Sequence, residues 1–210
     1  GTVAEAEAQA SHLMQRLASR AGAPSMRLFR DPAETQHVWA VRESALGATS
    51  FVPGAATHWE GWEDAAVPPA RLGEYLRRLR RLMGEFHYTG SLYGHFGQGC
   101  VHTRINFDLK TAEGIALYRR FVEEASDLVV ELGGSISGEH GDGQPRGELL
   151  PRMYGEDLMQ AFREFKGVWD PDNKMNPGKL ISPYRLDEHL RMPQYRPAEV
   201  RTHFAYPLEG

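Results

Sequence analysis

Two glycine-framed segments interrupt this chain, and neither can belong to a regular helix. They read Gly94-His95-Phe96-Gly97-Gln98-Gly99-Cys100-Val101-His102 and Ser137-Gly138-Glu139-His140-Gly141-Asp142-Gly143. Between them they hold six glycines and three histidines, with Glu139 beside the last histidine. Glycine has no Cβ, so it permits sharp turns and close approach of backbone to a ligand. The stretch between the two segments has the opposite character. Over residues 111–132, Ile115, Tyr118, Val122, Ala125 and Val129 recur at helical spacing, and Gly133-Gly134 ends the run. The fold must therefore set long amphipathic helices beside tight turns that carry imidazoles.

The other elements follow from the same signals. Residues 3–21 read as a helix, with Leu13, Leu17 and Ala21 on one face and Gly22 as its stop. A short strand is predicted at residues 26–29. Asp31-Pro32 reads as an N-cap followed by proline at the first helical position, opening a helix to about residue 46. Residues 51–67 are loop-like around Trp59 and Trp62 and end in a strand at 65–67. Pro68-Pro69 starts a helix through Leu72, Leu76, Leu79 and Met83. Strands at 91–95 and 101–109 flank Gly97-Gln98-Gly99. Leu158, Phe162, Phe165 and Trp169 mark a last helix, stopped by Asp170-Pro171, and Asn176-Pro177-Gly178-Lys179 is a rigid turn. Interleaved strands and helices predict an α+β domain, an antiparallel sheet with helices packed on it. We expect that domain over residues 1–185, with a polar tail over 186–210.

Bulk properties exclude several functions. A net charge of −4 over 210 residues gives no general attraction to nucleic acid. The arginine run at 77–81 lies in a helical pattern and reads as a solvated face. No apolar run is long enough to span a bilayer. Cys100 is the single cysteine, so no intrachain disulfide forms, in keeping with a cytoplasmic, reducing location. The opening Gly1-Thr2-Val3-Ala4, without an initiator Met, suggests a piece cut from a longer protein.

The histidines carry the chemistry. If Gln98-Gly99 is a two-residue hairpin turn, His95 and His102 lie directly across from each other, with Cβ atoms roughly 5 Å apart. Two imidazoles could then converge on one divalent ion, Zn²⁺ or another such as Mn²⁺ or Fe²⁺, with Glu139 as the third ligand. His140, beside Glu139, is placed to act as a general base. Arg42 is either a substrate-carboxylate anchor or one half of a surface ion pair. Lys179 holds an anion or a cofactor edge, or is an exposed lysine. Cys100 reads as a small packing group.

These motifs have a family likeness. Residues 94–102 resemble the "GHxGDGNxH" segment of the FAD-linked oxidase C-terminal (cap) domain. That family includes D-lactate, glycolate and D-2-hydroxyglutarate dehydrogenases of the vanillyl-alcohol-oxidase type. Residues 137–141 resemble its "SxEHG" motif, residues 170–179 its "DPxxxxNPGK" ending, and Trp39-Ala40-Val41-Arg42-Glu43 its "WxxRE" helix. The likeness implies a ferredoxin-like cap with a C-terminal helical segment. His95, His102 and Glu139 match the metal ligands, and His140 the base that takes the substrate hydroxyl proton as hydride passes to FAD. Arg42 matches a carboxylate contact, while Asn176 and Lys179 fall in the flavin-facing segment. Two departures stand out: Gln98 where Asp is common and Cys100 where Asn is common.

The stretch 90–109, with Arg146-Gly147-Glu148-Leu149-Leu150-Pro151, looks most like large bacterial members fused to an iron–sulfur region. Most of the FAD would bind a separate domain, so this chain alone is expected to be inactive. The likeness implies a small 2-hydroxy acid substrate and a cytoplasmic enzyme, peripheral to the inner face of the membrane. The competing functions are a metal-dependent hydrolase, active without FAD, and a noncatalytic module that docks an electron-transfer partner.

Overall fold

The computed structural model describes residues 1–190. These fall into two compact units, residues 1–48 and residues 49 onward. The first holds helices α1 (Val3–Ala18) and α2 (Pro32–Glu43). Thr2 caps α1 by a reciprocal pair of hydrogen bonds with Glu5, and the Asp31 carboxylate caps α2 by accepting from the N–H groups of Ala33 and Glu34. Helix α2 ends at Glu43, and α3 (Ala45–Ser50) follows Ser44, so the helix expected to reach residue 46 is broken in two. Residues 26–29 form no strand. The three-stranded sheet lies wholly in the second unit, so residues 26–29 have no sheet of their own unit to join.

The second unit runs β1 (Asp64–Ala66), α4 (Leu72–Glu85), β2 (Gly90–Tyr93), β3 (Cys100–Ile105), α5 (Ala112–Glu131) and α6 (Leu150–Trp169). The sheet order is β1-β3-β2, antiparallel throughout. A single bridge between Ala66 and Ser135 adds a rudimentary fourth strand outside β1. This β-α-β-β-α-β order is the ferredoxin-like arrangement, and the chain is α+β as its sequence predicts.

Alternation along β3 divides the sheet into two faces. Val101, Thr103 and Ile105 are at most 1% exposed and join the core with Tyr75 and Leu79 of α4 and Phe121, Val122 and Val129 of α5. Phe86, Tyr88, Phe107 and Phe121 pack there largely edge-to-face, with centroids 4.9–5.5 Å apart in those contacts. Thr111 caps α5 through its hydroxyl, which accepts from Gly114 N–H.

Helix α6 begins eight residues before Leu158, the first residue of the predicted pattern, and is interrupted at Gly155 (φ 72°, ψ 166°). Leu186 is buried, and its N–H donates to Glu148, so the start of the expected tail packs on this unit. Residues 191–210 of that tail lie outside the described residues. No described helix is long and apolar enough to cross a membrane.

Candidate metal centre

The other face of β3 presents Cys100, His102 and Arg104. All three are buried, at 6%, 5% and 3% exposure. A strand with a polar yet buried second face is covered by something that satisfies it. Here the cover includes the glycine-framed loop at 137–143. Gly138 passes so close that a Cβ there would lie 2.8 Å from Cys100 Sγ.

The strand register differs from the sequence expectation. Tyr93, not His95, stands opposite His102, and Asp64 flanks His102 on the other side. The turn is longer than two residues. Gly94 (φ 141°) takes the chain out of β2, and a 3₁₀ turn over Phe96–Gln98 follows, closed by Gly99 in the left-handed region (φ 80°). Both glycines are sterically required. A Cβ on Gly94 would sit 2.6 Å from Cys100 O, and one on Gly99 would strike Val67 O. The shift is two residues, which preserves the strand face.

His95 therefore reaches the site from the turn. Its ring lies 6.0 Å from that of His102, edge-on. Both converge on Glu139. Glu139 Oε1 is 3.0 Å from His102 Nε2, 3.5 Å from His140 Nε2 and 3.6 Å from His95 Nε2. The rings of His102 and His140 stack with centroids 4.9 Å apart and planes 5° from parallel.

Two carboxylates absent from the sequence reading organise this cluster. Asp64 is 1% exposed. Its Oδ2 accepts from Ser137 Oγ (2.7 Å), His140 N (2.8 Å) and Glu139 N (3.0 Å), while Cys100 Sγ donates to Oδ1 (3.5 Å). Burial pushes the Asp64 carboxyl upward, but these donors outweigh it and hold the group below the ordinary carboxylate range. Glu63 is the second. Its Oε1 accepts from His140 Nδ1 at 2.8 Å, and its backbone carbonyl accepts from His102 Nδ1 at 3.2 Å. That bond to Glu63 raises the His140 imidazole above its usual value against partial burial. Cys100 is pushed up to about 12 by burial and by nearby Asp64, so it stays a thiol.

Ligand atoms of Asp64, His102, Glu139 and His140 lie within 4.8 Å of one another. Asp64 already serves several donors and acts as the lock of the loop. Of the predicted ligands, His102 and Glu139 belong to this group and His95 does not, its Nε2 standing 3.6 Å from Glu139 Oε1; imidazole nitrogens and carboxylate oxygens are donors of the kind that suit a divalent transition ion. The donor set fits a metal.

The remaining predicted residues belong to other elements. Arg42 is exposed in the last turn of α2, within the first unit. Asn176 (φ 48°) and Lys179 occupy the turn after α6, where Lys179 Nζ donates to Gln144 at 2.7 Å. Beside that turn runs an apolar groove of about 580 Å³ lined by Tyr154, Phe162, Phe165, Trp169, Met175 and Leu180, among others.

Comparison with known proteins agrees with these motifs. Residues 1–180 match the family described as FAD linked oxidases, C-terminal domain. The D-2-hydroxyglutarate dehydrogenase of Escherichia coli K12 is 32% identical over 168 residues, which are 80% of this chain and 16% of that protein. Glycolate oxidase subunit GlcD of the same organism is 32% identical over 162 residues, 77% of this chain and 32% of that subunit. The D-lactate dehydrogenase of Archaeoglobus fulgidus is 38% identical over 118 residues, 56% of this chain and 26% of that enzyme. The chain thus spans a third or less of the length of these relatives.

Proposed function

The chain belongs to the family of FAD-linked oxidase C-terminal domains, and from that premise we propose that it is the substrate-binding and catalytic cap of an FAD-dependent, metal-assisted D-2-hydroxyacid dehydrogenase. The observation that carries this reading is the convergence of three imidazole Nε2 atoms within 3.6 Å of Glu139 Oε1. The names of the relatives add support. D-2-hydroxyglutarate, glycolate and D-lactate share a hydroxyl on the carbon next to a carboxylate.

In this reading His95, His102 and Glu139 hold a divalent ion, Zn²⁺, Mn²⁺ or Fe²⁺. The ion would supply Lewis acidity toward the substrate hydroxyl and carboxylate. His140 Nε2 takes the hydroxyl proton, with Nδ1–H anchored on Glu63. The flavin, when bound, would supply the acceptor for the Cα hydride, so that the hydroxy acid would become a 2-oxo acid. The family likeness alone assigns Arg42 to the substrate carboxylate, and Asn176 and Lys179 would be the residues that face the flavin. The FAD itself would be bound mostly by another domain of the parent protein. Cys100 is the only free thiol among the described residues and is buried, so any iron–sulfur cluster of the parent would use other ligands.

In the parent flavoprotein, His140→Gln should lower kcat/KM by about 10²–10⁴-fold while metal content holds. Activity within a few-fold of wild type would overturn the assignment of His140 as base.

A further inference from the structure

We propose that residues 179–183 are a positioning strap that holds the downstream end of the loop bearing Glu139 and His140, and that Gly147 is the residue that lets the strap seat. The proposal rests on the metal-centre reading for its function. It adds a second anchor to that site and gives Lys179 a task within this chain, apart from any flavin.

The loop needs anchors because of its own composition. Gly138, Gly141 and Gly143 leave residues 137–143 few intrinsic limits on backbone conformation. Asp64 fixes the upstream half, through the Ser137 hydroxyl and the N–H groups of Glu139 and His140. Those bonds end at His140. Beyond it, Arg146 N–H donates to Asp142 O at 3.1 Å and closes a local turn, and Arg146 Nη1 adds only a long contact, 3.5 Å to Gly141 O.

The chain that follows α6 supplies the missing hold. Gly143 O accepts from Leu180 N–H at 3.1 Å, and the Gln144 side-chain oxygen accepts from Lys179 Nζ at 2.7 Å. A little further on, Gly147 is buried against Pro183. A Cβ on Gly147 would lie 2.8 Å from Pro183 Cβ, 3.0 Å from its Cγ and 3.3 Å from Leu180 N. The strap comes this close only because residue 147 has no side chain. Leu180 stands at φ 52°, a left-handed conformation that leucine rarely adopts. Such a residue persists where its surroundings over-determine it, and here these contacts do so. They also seat the strap by themselves. The bonds of Asp170 hold Lys174 and Met175, upstream of it. Gly147 belongs to the segment 146–151, which has no role in the chemistry above.

Amide hydrogen exchange by NMR and Zn²⁺ titration, on the same folded chains, test the strap. In wild type the Leu180 amide should exchange at least about tenfold more slowly than in the unfolded chain. Gly147→Ala should remove that protection, speed exchange across residues 139–143 and weaken Zn²⁺ binding about tenfold or more. Pro183→Gly deletes the atoms that Ala at 147 would strike. Alone it should stay close to wild type, and added to Gly147→Ala it should restore most of the protection and affinity.

A wild-type Leu180 amide that exchanges as in the unfolded chain would overturn the proposal without any variant having to fold. So would a folded Gly147→Ala with wild-type exchange across the loop, or with a loss that Pro183→Gly does not reduce. A loosened loop with unchanged Zn²⁺ affinity would overturn the positioning role and leave the strap structural. The exchange measurements need no ion. A wild-type chain that binds no Zn²⁺ would therefore sink the metal reading, while the strap would stand or fall on exchange alone.

Discussion

Two loops of the second unit are held by the same device in opposite surroundings. Asp64 accepts the N–H groups of Glu139 and His140 and so ties the glycine-framed loop to the sheet. Asp170 accepts the N–H groups of Lys174 and Met175 and ties down the turn that carries Asn176 and Lys179. Around Asp64 the neighbours are polar and nearly every side chain has a partner within the unit. Around Asp170, beyond its Lys166 partner, large apolar side chains lie open, with Phe165 and Trp169 each 68% exposed. The contrast teaches where each half of the chemistry can be tested. The proposed metal centre would draw on this chain's own side chains, and the segment proposed to face the flavin borders an exposed apolar surface.

The comparison can be broken first at Asp64. Asp64→Ala removes the charged acceptor of two backbone N–H groups and of the Ser137 hydroxyl, hydrogen bonds to a charged group being worth about 1.5–3 kcal/mol each. Denaturant unfolding should show a loss of about 3 kcal/mol or more, together with weakened metal binding. A loss below about 1 kcal/mol would mean that the loop is held by other contacts.

A smaller effect is expected at Asp170, and it should depend on pH. Its ion pair with Lys166 comes first among the causes that hold its carboxyl below the ordinary 3.8, followed, against burial, by the two N–H donors. A carboxyl lowered on folding stabilises the protein above its unfolded value, and that contribution is lost as pH falls through the folded value. Asp170→Asn should therefore lower the melting temperature at pH 7 and have progressively less effect below about pH 3.8. Metal affinity should be unaffected. An equal loss at both pH values would assign the effect to shape rather than charge.

How much of this was legible in the sequence depends on what sets each feature. Local rules fixed the cap at Asp31, the stop after Trp169 and the α5 stripe, and the structure agrees. The two glycine-framed segments pointed to the cluster because imidazole and carboxylate among glycines have few structural uses. The pairing of His95 with His102 was not legible. The turn around Gly97-Gln98-Gly99 accommodates several lengths, and the 3₁₀ turn that decides among them is closed by contacts with the chain at Val67. Glu63 and Asp64 were missed for a related reason. In sequence they are an acidic pair after Trp62 in a loop-like stretch, where charges are usually solvated. Only the pairing of Asp64 with His102 buries them behind the histidines. An acidic pair at the entry to an apolar strand was the one available signal.

The most direct test of the account is a calorimetric titration of Zn²⁺ or Mn²⁺ into the folded chain and three variants. The account predicts one ion per chain. Binding should weaken more than about 100-fold in His102→Ala and Glu139→Ala and stay within a few-fold of wild type in His140→Ala. A folded wild-type chain that binds no ion would contradict the metal centre, and a His140→Ala variant as impaired as His102→Ala would make His140 a ligand instead of the base.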